Sequence, residues 1–138
     1  MTLDKNLKLT EVNLLIEKSD RNMEQAIYNA NVNYWDLVSN RLYYSIFHAV
    51  NALLLLDGIK TGTHKGTSSQ FGKYYVLTGV FDKQDGILYS RLQTMREKAD
   101  YQNIYSLSRE DGLKILEKAS DLKERIIQVV KNKINQVS

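Results

Sequence analysis

Apolar residues recur along this 138-residue chain at three- and four-residue steps, the period of an α-helix with one buried face. Over residues 7–30, Leu9, Val12, Ile16, Met23, Ile27 and Ala30 form one stripe, with Ser19, Asp20, Arg21 and Glu24 placed mostly outside it. Three asparagines then mark a bend, and Asn31 or Asn33 is the expected N-cap of the next helix. That helix, over 33–56, carries Trp35, Val38, Leu42, Ile46, Ala49 and Leu53 on its core face. Apolar residues nearly surround it, so it is expected to be the central element. Asp57-Gly58 stops it, since glycine readily takes the left-handed C′ conformation.

Residues 58–67 hold three glycines and read as a flexible connection, with a helix starting at Thr67 or Ser68. A short helix over 69–77 uses Phe71, Tyr74, Tyr75 and Leu77, and Thr78-Gly79 closes it. A helix over 83–102 packs through Leu88, Leu92, Met95 and Ala99, with Arg96 and Asp100 paired one turn apart. The last begins near Ser108, a hydroxyl cap followed by Glu110 and Asp111 in the first turn. Its stripe is Ile115, Ala119, Leu122, Ile126, Val130 and Ile134, and Lys114, Lys118, Lys123, Lys131 and Lys133 lie largely off it, on a solvated basic face. The expected architecture is all-α: one domain over 1–138, an up-and-down bundle of four long helices with a short helix inserted.

Composition supports that reading. Hydrophobic residues at 43% and charged residues at 25% belong to a globular chain rather than a disordered one. The absence of proline favours long helices, and the absence of cysteine removes disulfides and thiolate metal sites. A net charge of +3 permits an anionic partner but falls short of a dedicated nucleic-acid arm. The polar start lacks the apolar core of a signal peptide, and the run from Ala49 to Leu56 is too short to span a bilayer. A soluble, cytoplasmic protein with no membrane partner is expected.

Candidate chemistry concentrates on the second helix. Arg41 and His48 are seven residues apart, so they share a face about 10 Å apart along the axis, with Ser45 between them. A cation and a titratable imidazole on one stripe suit catalysis, ligand binding or a structural role, such as Arg41 paired with Asp100. Lys60, His64 and Lys65 lie near an expected helix start, where backbone amides and cations together can receive an anion. Two histidines without an acidic cluster point to no metal, and no cofactor is expected.

The run Asn40-Arg41-Leu42-Tyr43-Tyr44-Ser45-Ile46-Phe47-His48-Ala49, then His64-Lys65-Gly66, Phe71, Thr78-Gly79, and Arg96 with Ala99-Asp100-Tyr101, resembles a prokaryotic HEPN family over about residues 10–130. The resemblance implies an all-α bundle, usually a homodimer, often encoded beside a minimal nucleotidyltransferase in toxin–antitoxin-like modules. It further implies either nucleotide or partner binding, or metal-independent endoribonuclease activity on RNA. In the nuclease case Arg41 and His48 are the catalytic candidates, one stabilising phosphate charge and the other moving a proton. Two features depart from the nuclease pattern. Leu42, not a polar residue, follows Arg41, and Arg96 has no histidine after it. The expectation is therefore a helical subunit that binds nucleotide or a nucleotidyltransferase, with Ser45, Lys60, His64, Lys65, Arg96, Asp100 and Tyr101 as ligand-binding candidates. The nuclease and a structural homodimer without ligand are the alternatives.

Overall fold

The computed structural model describes the backbone of residues 3–101 and 107–137, and the side chains of 4–100 and 107–136. Helices α1 (Leu3–Asn31), α2 (Trp35–Leu56), α3 (His64–Phe71), α4 (Lys83–Tyr101) and α5 (Arg109–Val137) follow in order, with a π-helical turn at Gly72–Val76 after α3. Among the described residues there is no strand, and the architecture is the all-α bundle read from the sequence. Among the described residues, no helix is long and apolar enough to cross a membrane.

Helix α2 is the axle of the bundle, touching α1, α3, α4 and α5. Its expected core face is buried throughout, from Trp35 to Leu53. Its longest seam is with α1, and small residues set the closeness of that seam. Ser19, Ala26 and Ala30 from α1 are buried, as are Ser45, Ala49 and Ala52 from α2. Ser19 Oγ donates to the Ser45 carbonyl at 2.7 Å, and Ser45 Oγ donates to the Ser19 carbonyl at 2.9 Å. Two buried hydroxyls thus satisfy each other's backbone, which removes the desolvation penalty that either would carry alone.

Several local expectations are corrected. The α1 stripe runs through Ser19 and Ala26, while Ile27 is exposed, because the face turns toward the small residues that let α2 approach. Asn33 does not cap α2. It takes a left-handed conformation (φ 62°), which asparagine tolerates, and Tyr34 occupies the cap position without a side-chain bond. Helix α3 begins at His64 rather than at Thr67 or Ser68, because Thr63 Oγ1 accepts from the Gly66 amide at 2.8 Å. Lys123 is buried, with its Nζ held by Asp20 and Glu124, and so does not belong to the outer basic face. Ser108 does cap α5, accepting from Asp111 N at 3.1 Å.

One glycine is required by packing. A Cβ on Gly112 would sit 2.4 Å from Trp35 Cε3, so the start of α5 lies directly on the indole that opens α2.

Candidate anion-binding face on helix α2

The outward edge of α2 carries Arg41, Tyr44 and His48 on successive turns, and the Tyr44 ring is the centre of the group. Arg41 Nη1 is held by Asn22 Oδ1 and Gln25 Oε1 of α1, each at 3.3 Å, and its guanidinium carbon lies 5.9 Å from the Tyr44 centroid. Arg96 approaches from α4. Its guanidinium carbon is also 5.9 Å from the Tyr44 centroid and 5.0 Å from that of Tyr43. Arg96 Nη1 donates to the Tyr44 hydroxyl at 3.2 Å and lies 3.6 Å from Asp100 Oδ2. Two fixed cations therefore share one aromatic ring.

The imidazoles complete the group. His64, the first residue of α3, stacks on Phe47 with centroids 4.4 Å apart, and its Nδ1 is 2.7 Å from the Tyr43 hydroxyl. His48 meets the same Phe47 edge-on at 5.5 Å and faces Tyr44 at 6.1 Å. Burial lowers the His48 pKa to about 4, helped by the positive charge of Lys18 and by His64. Burial also lowers that of His64, with Arg96 adding to the effect. Tyr43 is pushed up to about 12 by burial, against the pull of Arg96. Near pH 7 both imidazoles and the Tyr43 phenol are therefore neutral, beside the guanidiniums of Arg41 and Arg96.

This has a measurable consequence. His48 has a folded-state pKa below its ordinary 6.5, so the unfolded chain takes up the proton first on acidification. The stability that depends on neutral His48 is complete above about pH 6.5 and is lost progressively as pH falls toward about 4. Because the ring is only half-buried, the loss is about 1–2 kcal/mol rather than the full linkage value. Thermal unfolding at pH 7, 5.5 and 4.5 should show the decline, and His48→Gln should flatten it. An equally steep decline in the variant would assign the effect to other groups.

The structure sorts the remaining candidates. Ser45 is fully buried in the α1–α2 seam and bonded to Ser19, so it presents nothing to a ligand. Asp100 pairs with Arg96 and not with Arg41, because Arg41 turns toward the amides of α1. Lys60 is on a different feature, a cleft of about 740 Å³ between α1 and the end of α2 that is floored by Leu15, Leu54 and Ile59. Lys65 is exposed in the first turn of α3, next to His64. The Tyr101 side chain lies outside the described residues. Tyr43 is buried, and the rings of Tyr43, Tyr44 and Phe47 together organise the polar groups. Their i, i+1, i+4 spacing was visible, but the Arg96 and His64 that they meet arrive only through the tertiary fold.

An all-α bundle with an Arg–Tyr–His edge on its central helix is the class that fold and site define. The chain matches the HEPN domain family over residues 12–133 and belongs to it. It is 30% identical over 108 residues to a Methanocaldococcus jannaschii protein named "Putative toxin MJ0142", covering 78% of this chain and 74% of that one. A second protein of that organism, "Putative toxin MJ0605", is 36% identical over 100 residues, covering 72% and 73% of the two chains. An Archaeoglobus fulgidus "UPF0332 protein" is 29% identical over 128 residues, covering 93% of this chain and 98% of its own length.

Proposed function

We propose that this protein is the helical, binding component of a toxin–antitoxin-like module, and that its α2 edge engages a phosphate-bearing ligand. The ligand is a nucleotide or an RNA segment, and the expected protein partner is a minimal nucleotidyltransferase. The observation that carries this reading is the pair of guanidiniums from Arg41 and Arg96, each 5.9 Å from the Tyr44 centroid. Arginine suits phosphate through its planar fork of donors, and aromatic rings beside such forks suit a base. The toxin names of two relatives support the module.

Binding is favoured over catalysis by the state of His48. Burial lowers its pKa to about 4, so at pH 7 the imidazole is not in the protonated form that a general acid needs. A metal-independent endoribonuclease using Arg41 and His48 across a homodimer is the second reading. It is favoured by their shared face and by the same toxin names. The test is a pair of assays on pure protein. Nucleotide or short RNA should raise the melting temperature through preferential binding to the native state, and Arg41→Ala should reduce that rise. RNA incubated with the protein in EDTA should stay intact. Cleavage lost in His48→Ala would install the nuclease reading instead, and no melting shift together with no cleavage would remove both.

A further inference from the structure

His64 belongs to a loop-and-helix junction 16 residues past His48, and what distinguishes it is the partner on its inner nitrogen. Tyr43 is fully buried, and among the described residues its hydroxyl has one hydrogen-bond partner, His64 Nδ1 at 2.7 Å. A phenol can donate one proton and also accept. If Nδ1 carried the imidazole proton and donated it, the buried phenolic proton would have no acceptor. The consistent assignment has Tyr43 donating to an unprotonated Nδ1. A neutral imidazole then carries its proton on Nε2. That nitrogen makes no hydrogen bond to another described residue, and His64 is only part-buried, which leaves Nε2–H to donate outward. Stacking on Phe47 fixes the plane of the ring.

We infer that His64 Nε2–H is a built donor for an anionic phosphate oxygen, acting beside Arg96, and that Tyr43 is the residue that positions it. Arg96 and His64 lie against the same two rings, at 5.0 and 5.7 Å from the Tyr43 centroid and both at 5.9 Å from that of Tyr44. A guanidinium supplies charge, and the neutral N–H supplies direction. The first turn of α3, where His64 sits, adds the positive end of a helix dipole to the same place. Burial keeps both the imidazole and the phenol uncharged near neutrality, so the donor is present without a bound proton being required. The inference rests on the phosphate-binding reading above and extends the site from α2 and α4 to α3.

The experiment is long-range ¹H–¹⁵N NMR on the full chain, with separate titrations of inorganic phosphate, AMP and a short single-stranded RNA. Free wild-type protein should show His64 Nδ1 as an unprotonated acceptor and Nε2 as protonated. AMP or RNA should move His64 Nε2–H and the Arg96 side chain with one common Kd. Inorganic phosphate moving them too would show that the phosphate group alone suffices, and the relative strength of the AMP and RNA arms identifies the source. Tyr43→Phe removes one oxygen and keeps the ring. It should mix the two tautomers and weaken binding about 5- to 10-fold, with helical circular dichroism unchanged. His64→Ala should weaken binding by about 10-fold or more without the tautomer readout. A wild-type Nδ1–H tautomer, or a Tyr43→Phe variant with the same tautomer and Kd, overturns the inference. Ligand shifts at Arg41 and Arg96 that leave His64 unmoved overturn it too, while the phosphate-binding reading stands. No shift at any of these residues in any titration removes both.

Discussion

Replacing Arg125 with alanine destabilises the bundle by about 2–3 kcal/mol at pH 7, at or just below the low end for breaking a fully buried charge pair. The carboxylate of Asp85 is buried, with a side chain only 7% exposed, and Arg125 binds it through two nitrogens at 2.7 and 2.8 Å. Asp85 also closes the first turn of α4. Its amide donates to Asp82 Oδ1 at 3.0 Å, and its own carboxylate accepts from the Asp82 amide at 3.2 Å, a reciprocal cap. Removing Arg125 leaves a buried charge with only the cap amide to solvate it. The cost stays below the upper range because the Arg125 side chain is 44% exposed and gives up solvent-screened contacts.

The pH dependence supplies the signature. The Arg125 hydrogen bonds hold the Asp85 carboxyl below the usual carboxylate range, against the opposing effect of burial. In wild type its contribution is present above the ordinary carboxylate pKa and is lost as pH falls through the depressed folded value. In Arg125→Ala, burial is opposed only by the Asp82 hydrogen bonds and raises that pKa relative to wild type, so protonation relieves the variant. The difference between the two proteins should therefore shrink as pH drops below about 4. Urea unfolding at pH 7 and pH 3.5 measures it. A loss under about 0.5 kcal/mol, or one that does not change with acid, would mean that the pair contributes no more than a surface bridge.

How much of this was legible beforehand depends on whether a signal is local. The helical periods and the Ser108 cap sit within a few residues of what they control, so α2, α4 and α5 follow from the chain. The start of α3 was missed because Thr61, Thr63, Thr67 and Ser68 are all competent caps. Only the geometry that brings Gly66 N onto Thr63 Oγ1 selects among them. Serine misled on α1 for a different reason. Ser19 scores as polar, yet it is on the buried face because Ser45 meets it from 26 residues away. Lys123 follows the same logic with Asp20, 103 residues distant. In the site, Arg41, Tyr44 and His48 share an edge by helical spacing alone. Arg96 over Tyr44 and Tyr43 against His64 are tertiary meetings that no spacing rule contains.

Arg96→Met should separate the two services that this side chain performs. Methionine keeps most of the apolar stem, so the variant loses chiefly the guanidinium. That group lies over two tyrosine rings, at 5.0 and 5.9 Å, and donates to the Tyr44 hydroxyl at 3.2 Å. Cation–π contacts of this partly buried kind and one charge-assisted hydrogen bond together suggest a loss of about 1–2 kcal/mol of stability. The Asp100 pair adds little, since that carboxylate is 47% exposed. Binding should suffer more than folding. Removing one of the two cations beside Tyr44 should weaken a nucleotide or RNA phosphate by about 10- to 100-fold, whereas Arg96→Lys should lose less. Lysine keeps the charge but cannot lie flat on two rings while holding the hydroxyl, so its stability should fall between wild type and Arg96→Met. Urea unfolding and calorimetric titration on the same three proteins give both quantities. If Arg96→Met binds as tightly as wild type, the cationic edge at Tyr44 is structural and the phosphate lies elsewhere. If it binds weakly but unfolds like wild type, the guanidinium serves the ligand and not the bundle.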